Sequence, residues 1–244
     1  MANVTKTVKS SGGDYTSLNA ALAGMSGNLT TDCGGTGGAG ILTIECYSMA
    51  DTTAATTGTG YTTSSSYYIN ITVPAAERHP GYWSTSKYRL TPSPWDHALT
   101  ISESYTRVIG IQLSDSGNSD NNMSAMYIGG SLCTVAYCLI KKSAGTGTNR
   151  NGILTHWGSA GPNQFYNNII YDFTGGSSAG INNAAETTAA SNAYNNTIVN
   201  CTIGLKSAVA NYLIAKNNIL YGCTDGAPGH LRQGRTITLP MMQR

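Results

Sequence analysis

"YNNIIYD" (166–172), "YNNTIVN" (194–200) and "KNNILYG" (216–222) share one pattern, an Asn-Asn pair followed by apolar residues, at spacings of 28 and 22. A second series runs beside it. "GILTHW" begins at Gly152, "GINNAA" at Gly180 and "GLKSAV" at Gly204, 28 and 24 residues apart. Two interleaved series of matching period mark an internal repeat. Each unit holds a Gly-led strand, a variable loop, an Asn-Asn turn and a second strand. A unit of 22 to 28 residues with short strands and almost no helix stacks as one layer of a solenoid. Stacking brings equivalent residues to about 4.8 Å, the strand spacing of a sheet. Asn suits a tight corner because it tolerates left-handed backbone geometry, and its amide can donate to the same group one layer away. Asn168, Asn196 and Asn218 therefore read as a corner ladder, with Ile169/Ile170, Thr197/Ile198 and Ile219/Leu220 stacked beside it. The same register aligns Phe173, Cys201 and Cys223, so that two thiols lie side by side inside.

Upstream, the alternating segments 41–48, 67–74, 98–102, 107–114 and 134–142 are predicted strands. One helix is expected at 14–24, "DYTSLNAALAG", capped by Asp14 or Thr16, striped by Leu18, Ala21 and Leu22, and ended by Gly24. The chain divides into an N-terminal cap and Gly-rich loop (1–40), β-coils with long loops around 49–100 (41–224), and a C-terminal tail or cap (225–244).

Composition narrows the function classes. Charged residues make up 11% of the 244, against about 25% in an average domain. The net charge of +2, with no basic cluster, points away from nucleic acid. No apolar run approaches 18 residues, so no membrane partner is expected. The first residues lack an apolar signal region, and the expectation is a chain made in a cytoplasm and left unprocessed. Six cysteines without a CxxC pair read as free thiols, and parallel side-chain directions disfavour a Cys201–Cys223 disulfide. Four scattered histidines form no ligand cluster; neither metal nor cofactor is expected.

Together these features resemble the right-handed parallel β-helix of the pectate-lyase-like superfamily. "GGDYTSLNAAL" is similar to the N-terminal capping segment of its members, and the "NNI" units are similar to their Asn-containing corners. The resemblance runs from Lys9 to about Thr224 and implies an all-β solenoid behind a short capping helix. For function it implies less, since one fold hosts lyases, hydrolases, esterases, epimerases and non-catalytic virion proteins. "SPWDHALTIS" is similar to the Trp-x-Asp-His motif of pectate lyases, one residue short, and the accompanying Arg-x-Pro-x-x-Arg motif is absent.

Two readings follow. The first is a non-catalytic structural protein of a bacteriophage particle, a capsid decoration or tail-associated subunit made in the host cytoplasm and located in the virion. Its partners are other virion subunits and copies of itself, with a trimer implied by the resemblance. Arg232, Arg235, Leu239, Met241, Met242 and Arg244 would dock the tail on a partner, or else on its own last coil. The second reading is an extracellular polysaccharide lyase or glycoside hydrolase. Its catalytic candidates are Asp96, His97, Asp115 and Asp120, while Trp95, His156 and Trp157 would contact saccharide or a neighbouring subunit.

Overall fold

A computed structural model describes residues 2–58, 60–92, 97–115, 123–143, 147–156, 158, 161–185, 190–224, 231–233 and 237–239. Among these residues, strands fall into three sheets of nine, six and eight members, and every pairing between strands is parallel. The chain visits the nine-stranded, eight-stranded and six-stranded sheets in rotation, so strand neighbours come from successive circuits. Mostly β, with three parallel sheets and one α-helix, the arrangement fits an all-β solenoid-like fold.

The core is three in-register stacks. Ile44, Ile71, Val108, Val135, Phe165, Ala193 and Ala215 follow one another across the nine-stranded sheet. Leu90, Leu113, Ile140, Ile170, Ile198 and Leu220 do so in the eight-stranded sheet. Leu99, Met126, Ile153, Ile181 and Leu205 complete the interior from the six-stranded sheet, and all three stacks are fully buried. Each Val, Leu, Ile, Met or Phe among them contributes about 1.5–3 kcal/mol when taken from water. Parallel sheets covered on both faces read as continuous apolar runs. These strands alternate instead, because each sheet turns only one face inward, as in the buried–intermediate–buried pattern of Leu42–Cys46.

Local differences from the sequence reading have simple causes. The segments 107–114 and 134–142 each hold two strands, Arg107–Ile109 and Gln112–Ser114, then Thr134–Ala136 and Leu139–Lys141. Left-handed corners at Gly110 (φ 77°) and Tyr137 (φ 56°) separate them. The helix α1 (Leu18–Gly24) starts later than expected because Ser17, not Asp14 or Thr16, is its N-cap, its hydroxyl accepting from the Ala20 amide. Asp14 instead accepts from the backbone and hydroxyl of Thr7. Helix α1 buries Leu18, Ala21 and Leu22 against the first circuits, and the buried Asp51 carboxylate accepts from the Leu18 amide and the Tyr88 hydroxyl. A carboxylate at that end also complements the helix dipole.

At the other end the backbone of Leu231–Gln233 pairs with Leu213–Lys216, and Ile237–Leu239 pairs with Ile219–Tyr221. The tail thus adds one strand to each of two sheets. Within α1 and every other described helix, no stretch is long and apolar enough to cross a membrane.

Candidate functional site

The Asn corner divides its work between the two residues of each pair. Asn167, Asn195 and Asn217 take the left-handed backbone, at φ 57°, 55° and 55°. Their successors make the ladder. Asn168 Nδ2 donates to Asn196 Oδ1 at 3.0 Å, and Asn196 Nδ2 donates to Asn218 Oδ1 at 3.0 Å. The same oxygens accept the backbone amides of Asn168 and Asn196, and the second N–H of each Nδ2 reaches a carbonyl of the preceding strand, Val135 or Phe165. All three side chains are buried, so the ladder is a structural element and leaves nothing for a ligand.

Asp115 lies inside as well. Its carboxylate sits 2.8 Å from Arg150 Nε, both groups fully buried, and accepts from the amide and hydroxyl of Ser143. The other described carboxylates are also held by the protein itself. Asp14 is on Thr7, Asp32 on Gly37, Asp51 on α1, and Asp172 on the Asn200 amide. Glu45 accepts from Tyr47, Glu77 pairs with Lys87, and Glu103 takes backbone donors from Tyr61 and Gly60. Burial nevertheless pushes the Glu103 carboxyl up from its ordinary value. Among the described residues no three of His, Cys, Asp and Glu gather where a metal could sit.

His97 and His156, 59 positions apart, flank Tyr127 on the outer face of the six-stranded sheet. The His97 ring stacks on Tyr127 at 4.7 Å, and the His156 ring meets Tyr127 edge-on at 5.9 Å. His97 Nδ1 is fixed by the amide and hydroxyl of Ser124, and His156 Nδ1 accepts from the Gly158 amide. Burial pushes the Tyr127 phenol above its ordinary value, which leaves the group neutral. Trp95, Asp96, Asp120, Trp157, Arg235, Met241, Met242 and Arg244 lie outside the described residues, and of Arg232 and Leu239 only the backbone is described.

Tyr127 belongs to an outward row in which Thr100, Tyr127, Leu154, Asn182 and Lys206 face one another across successive strands. Its second half opens into a groove of about 270 Å³ lined by Asn149, Asn151, Leu154, Ser177, Asn182 and Lys206. Asn149 and Ser177 are joined where the Ser177 amide donates to Asn149 Oδ1. Asn151 is 3% exposed, and its Oδ1 has no hydrogen-bond partner. Amides, a hydroxyl, an aliphatic floor and one ammonium suit a hydroxyl-rich ligand, with Lys206 placed for a carboxylate or another anion. The sequence reading did not assemble this set. Its signal is the repeat itself, since the offsets of Gly152, Gly180 and Gly204 also connect Leu154, Asn182 and Lys206.

The outer face of the eight-stranded sheet differs. Its early strands are covered by the 75–88 segment, where Ser84 exchanges hydrogen bonds with the Gln112 side chain and the Trp83 ring lies 4.3 Å from Lys141 Nζ. Its last strands are bare. Ile219, Tyr221 and Ile237 are 43%, 39% and 56% exposed, with Val199 and Thr197 beside them in register.

No family model matches this sequence, and no curated protein matches it.

Proposed function

We propose that this chain is a non-catalytic structural subunit of a bacteriophage particle, a capsid decoration or tail-associated protein built on a right-handed parallel β-helix of the pectate-lyase-like kind. The observation that carries the reading is the exposed apolar face around Ile219, Tyr221 and Ile237, on the last described strands of the eight-stranded sheet. Exposed aliphatic and aromatic groups in a contiguous row mark an assembly surface. The commitment of the described carboxylates to the protein's own donors supports the non-catalytic part. The bacteriophage context and the trimer rest on the resemblance of the "GGDYTSLNAAL" and "NNI" segments.

Sedimentation of the purified chain tests this. The expected result is a trimer or larger homo-oligomer that Ile219→Lys with Tyr221→Lys converts to monomer. A monomer from the unaltered chain at micromolar concentration contradicts it.

One observation favours a second reading, engagement of an extracellular polysaccharide, and that is the amide-lined groove beside Tyr127. Calorimetric titration with acidic and neutral oligosaccharides tests it. Saturable binding lost in Asn182→Ala supports the reading, and no heat with any of them removes it.

A further inference from the structure

Cys201 and Cys223 occupy equivalent places in successive circuits. The strands Thr197–Val199 and Ile219–Tyr221 pair in register, and each cysteine comes one residue after a left-handed corner, Asn200 (φ 50°) or Gly222 (φ 63°). The two backbones are tied on either side of the pair. The Asn200 amide donates to the Tyr221 carbonyl at 2.8 Å, and the Thr224 amide donates to the Cys201 carbonyl at 3.3 Å. Neighbouring parallel strands set equivalent Cα atoms about 4.8 Å apart, inside the disulfide range of roughly 4.4–6.8 Å. The objection from parallel side-chain directions holds for residues within a strand, whereas both cysteines stand beyond a strand end and its corner. Cys223 Sγ lies between the circuits, 3.9 Å from the Ile198 carbonyl oxygen of the neighbouring one and 3.9 Å from the Tyr221 carbonyl oxygen of its own.

All six cysteines are among the described residues. Cys33, Cys46, Cys133, Cys138 and Cys201 are buried, and Cys223 alone is partly open to solvent. The Cys201 thiol donates to the Val199 carbonyl at 3.4 Å. The neighbouring Cys201 thiol holds the Cys223 thiol below its ordinary value, and Cys223 together with burial raises the Cys201 thiol. A partly exposed thiol with lowered pKa and a second thiol at the equivalent place one circuit away is the arrangement of an attacking and a resolving cysteine. In contrast, burial pushes the Cys46, Cys133 and Cys138 thiols up and holds them inert.

We propose that Cys201 and Cys223 are a redox-modification site, a dithiol that a low-molecular-weight disulfide such as glutathione disulfide converts to a covalent rung between neighbouring circuits. The Cys223 thiolate attacks one sulfur of the disulfide, whose S–S bond breaks and releases one glutathione thiolate. Cys201 gives its proton to that thiolate or to water and attacks the Cys223 sulfur, releasing the second glutathione. Two protein thiols are oxidised to one disulfide, and glutathione disulfide is reduced to two glutathiones. The bridge closes a loop of 22 residues at the end of the stack that carries the bare apolar face.

The test is peptide mapping of the reduced full chain after exposure to glutathione disulfide at mildly alkaline pH, followed by alkylation. The expected product is a Cys201–Cys223 cross-linked peptide that dithiothreitol reverses, with the four other cysteines alkylated as free thiols. In Cys201→Ser the reaction stops at a stable glutathione adduct on Cys223, and in Cys223→Ser neither product forms. A stable adduct on Cys223 of the unaltered chain without the cross-link overturns the proposal, as does failure of Cys223 to react. Both of these readouts come from the unaltered protein, so a variant that folds poorly does not decide the outcome.

Discussion

The corner at Asn168, Asn196 and Asn218 and the cluster around Asp115 and Arg150 both bury polar groups, by opposite means. The corner is neutral and repeated. Asn168 and Asn196 are each satisfied by the identical amide one circuit on, and Asn218 by the Ala193 carbonyl. The cluster is charged and, among the described residues, stands alone, joining Asp115 to Arg150 and Ser143 of the next circuit. A repeated neutral ladder loses a few hydrogen bonds when one member is removed. A buried ion pair that loses one member leaves an uncompensated charge, which costs about 3–5 kcal/mol. The two regions should therefore fail by different amounts and be repaired in different ways.

The largest effect is expected at the ion pair. Asp115→Ala should lower stability by about 3–5 kcal/mol in chemical denaturation, because it removes one member of a fully buried ion pair. Replacing both partners with apolar residues, Asp115→Leu with Arg150→Met, should cost less than the single change. Equal losses in single and double variants would erase the contrast between the regions. Next comes the ladder. Asn196→Ala removes the acceptor of the Asn168 amide and side chain and should cost about 2–3 kcal/mol, at about 1–3 kcal/mol for each buried group left unsatisfied. Its neighbour should matter less. Asn195→Ala puts a Cβ-bearing residue with no local hydrogen bond at φ 55° and should cost about 1 kcal/mol, recovered by Asn195→Gly. Smallest of all, Asn182→Ala on the outer row should leave the denaturation midpoint within about 0.5 kcal/mol of the parent, since its side chain lines the groove rather than the core. A large loss there would mean that the groove wall is part of the stabilising frame.

The same contrast explains what can be read from the sequence. The ladder is legible because Asn-Asn recurs at the layer spacing inside one larger pattern, with strand-forming apolar residues after it each time. Phe173, Cys201 and Cys223 are aligned by that same register. The Gly-led series is legible too, though its cause is not. An added Cβ at Gly152 would come within 2.6 Å of the Gly180 carbonyl oxygen and the Ile170 side chain, a constraint visible only in the packed interior. The ion pair is hidden for the opposite reason. Asp115 and Arg150 are different residues at opposite ends of equivalent loops on neighbouring circuits, and no repeat points from one to the other. As an isolated carboxylate after a strand, Asp115 looks in sequence like a surface acid. The groove falls between these cases, for Leu154, Asn182 and Lys206 obey the repeat offsets but share no chemistry that would draw attention to them.

What unites the two regions is that polar groups elsewhere available for catalysis here hold circuits together. Product analysis after prolonged incubation with acidic and neutral polysaccharides tests this most directly. The account predicts no new reducing ends and no unsaturated termini above the buffer blank, even for a saccharide that binds the groove. Turnover by the unaltered chain, abolished by a single carboxylate replacement that leaves its stability intact, would contradict it.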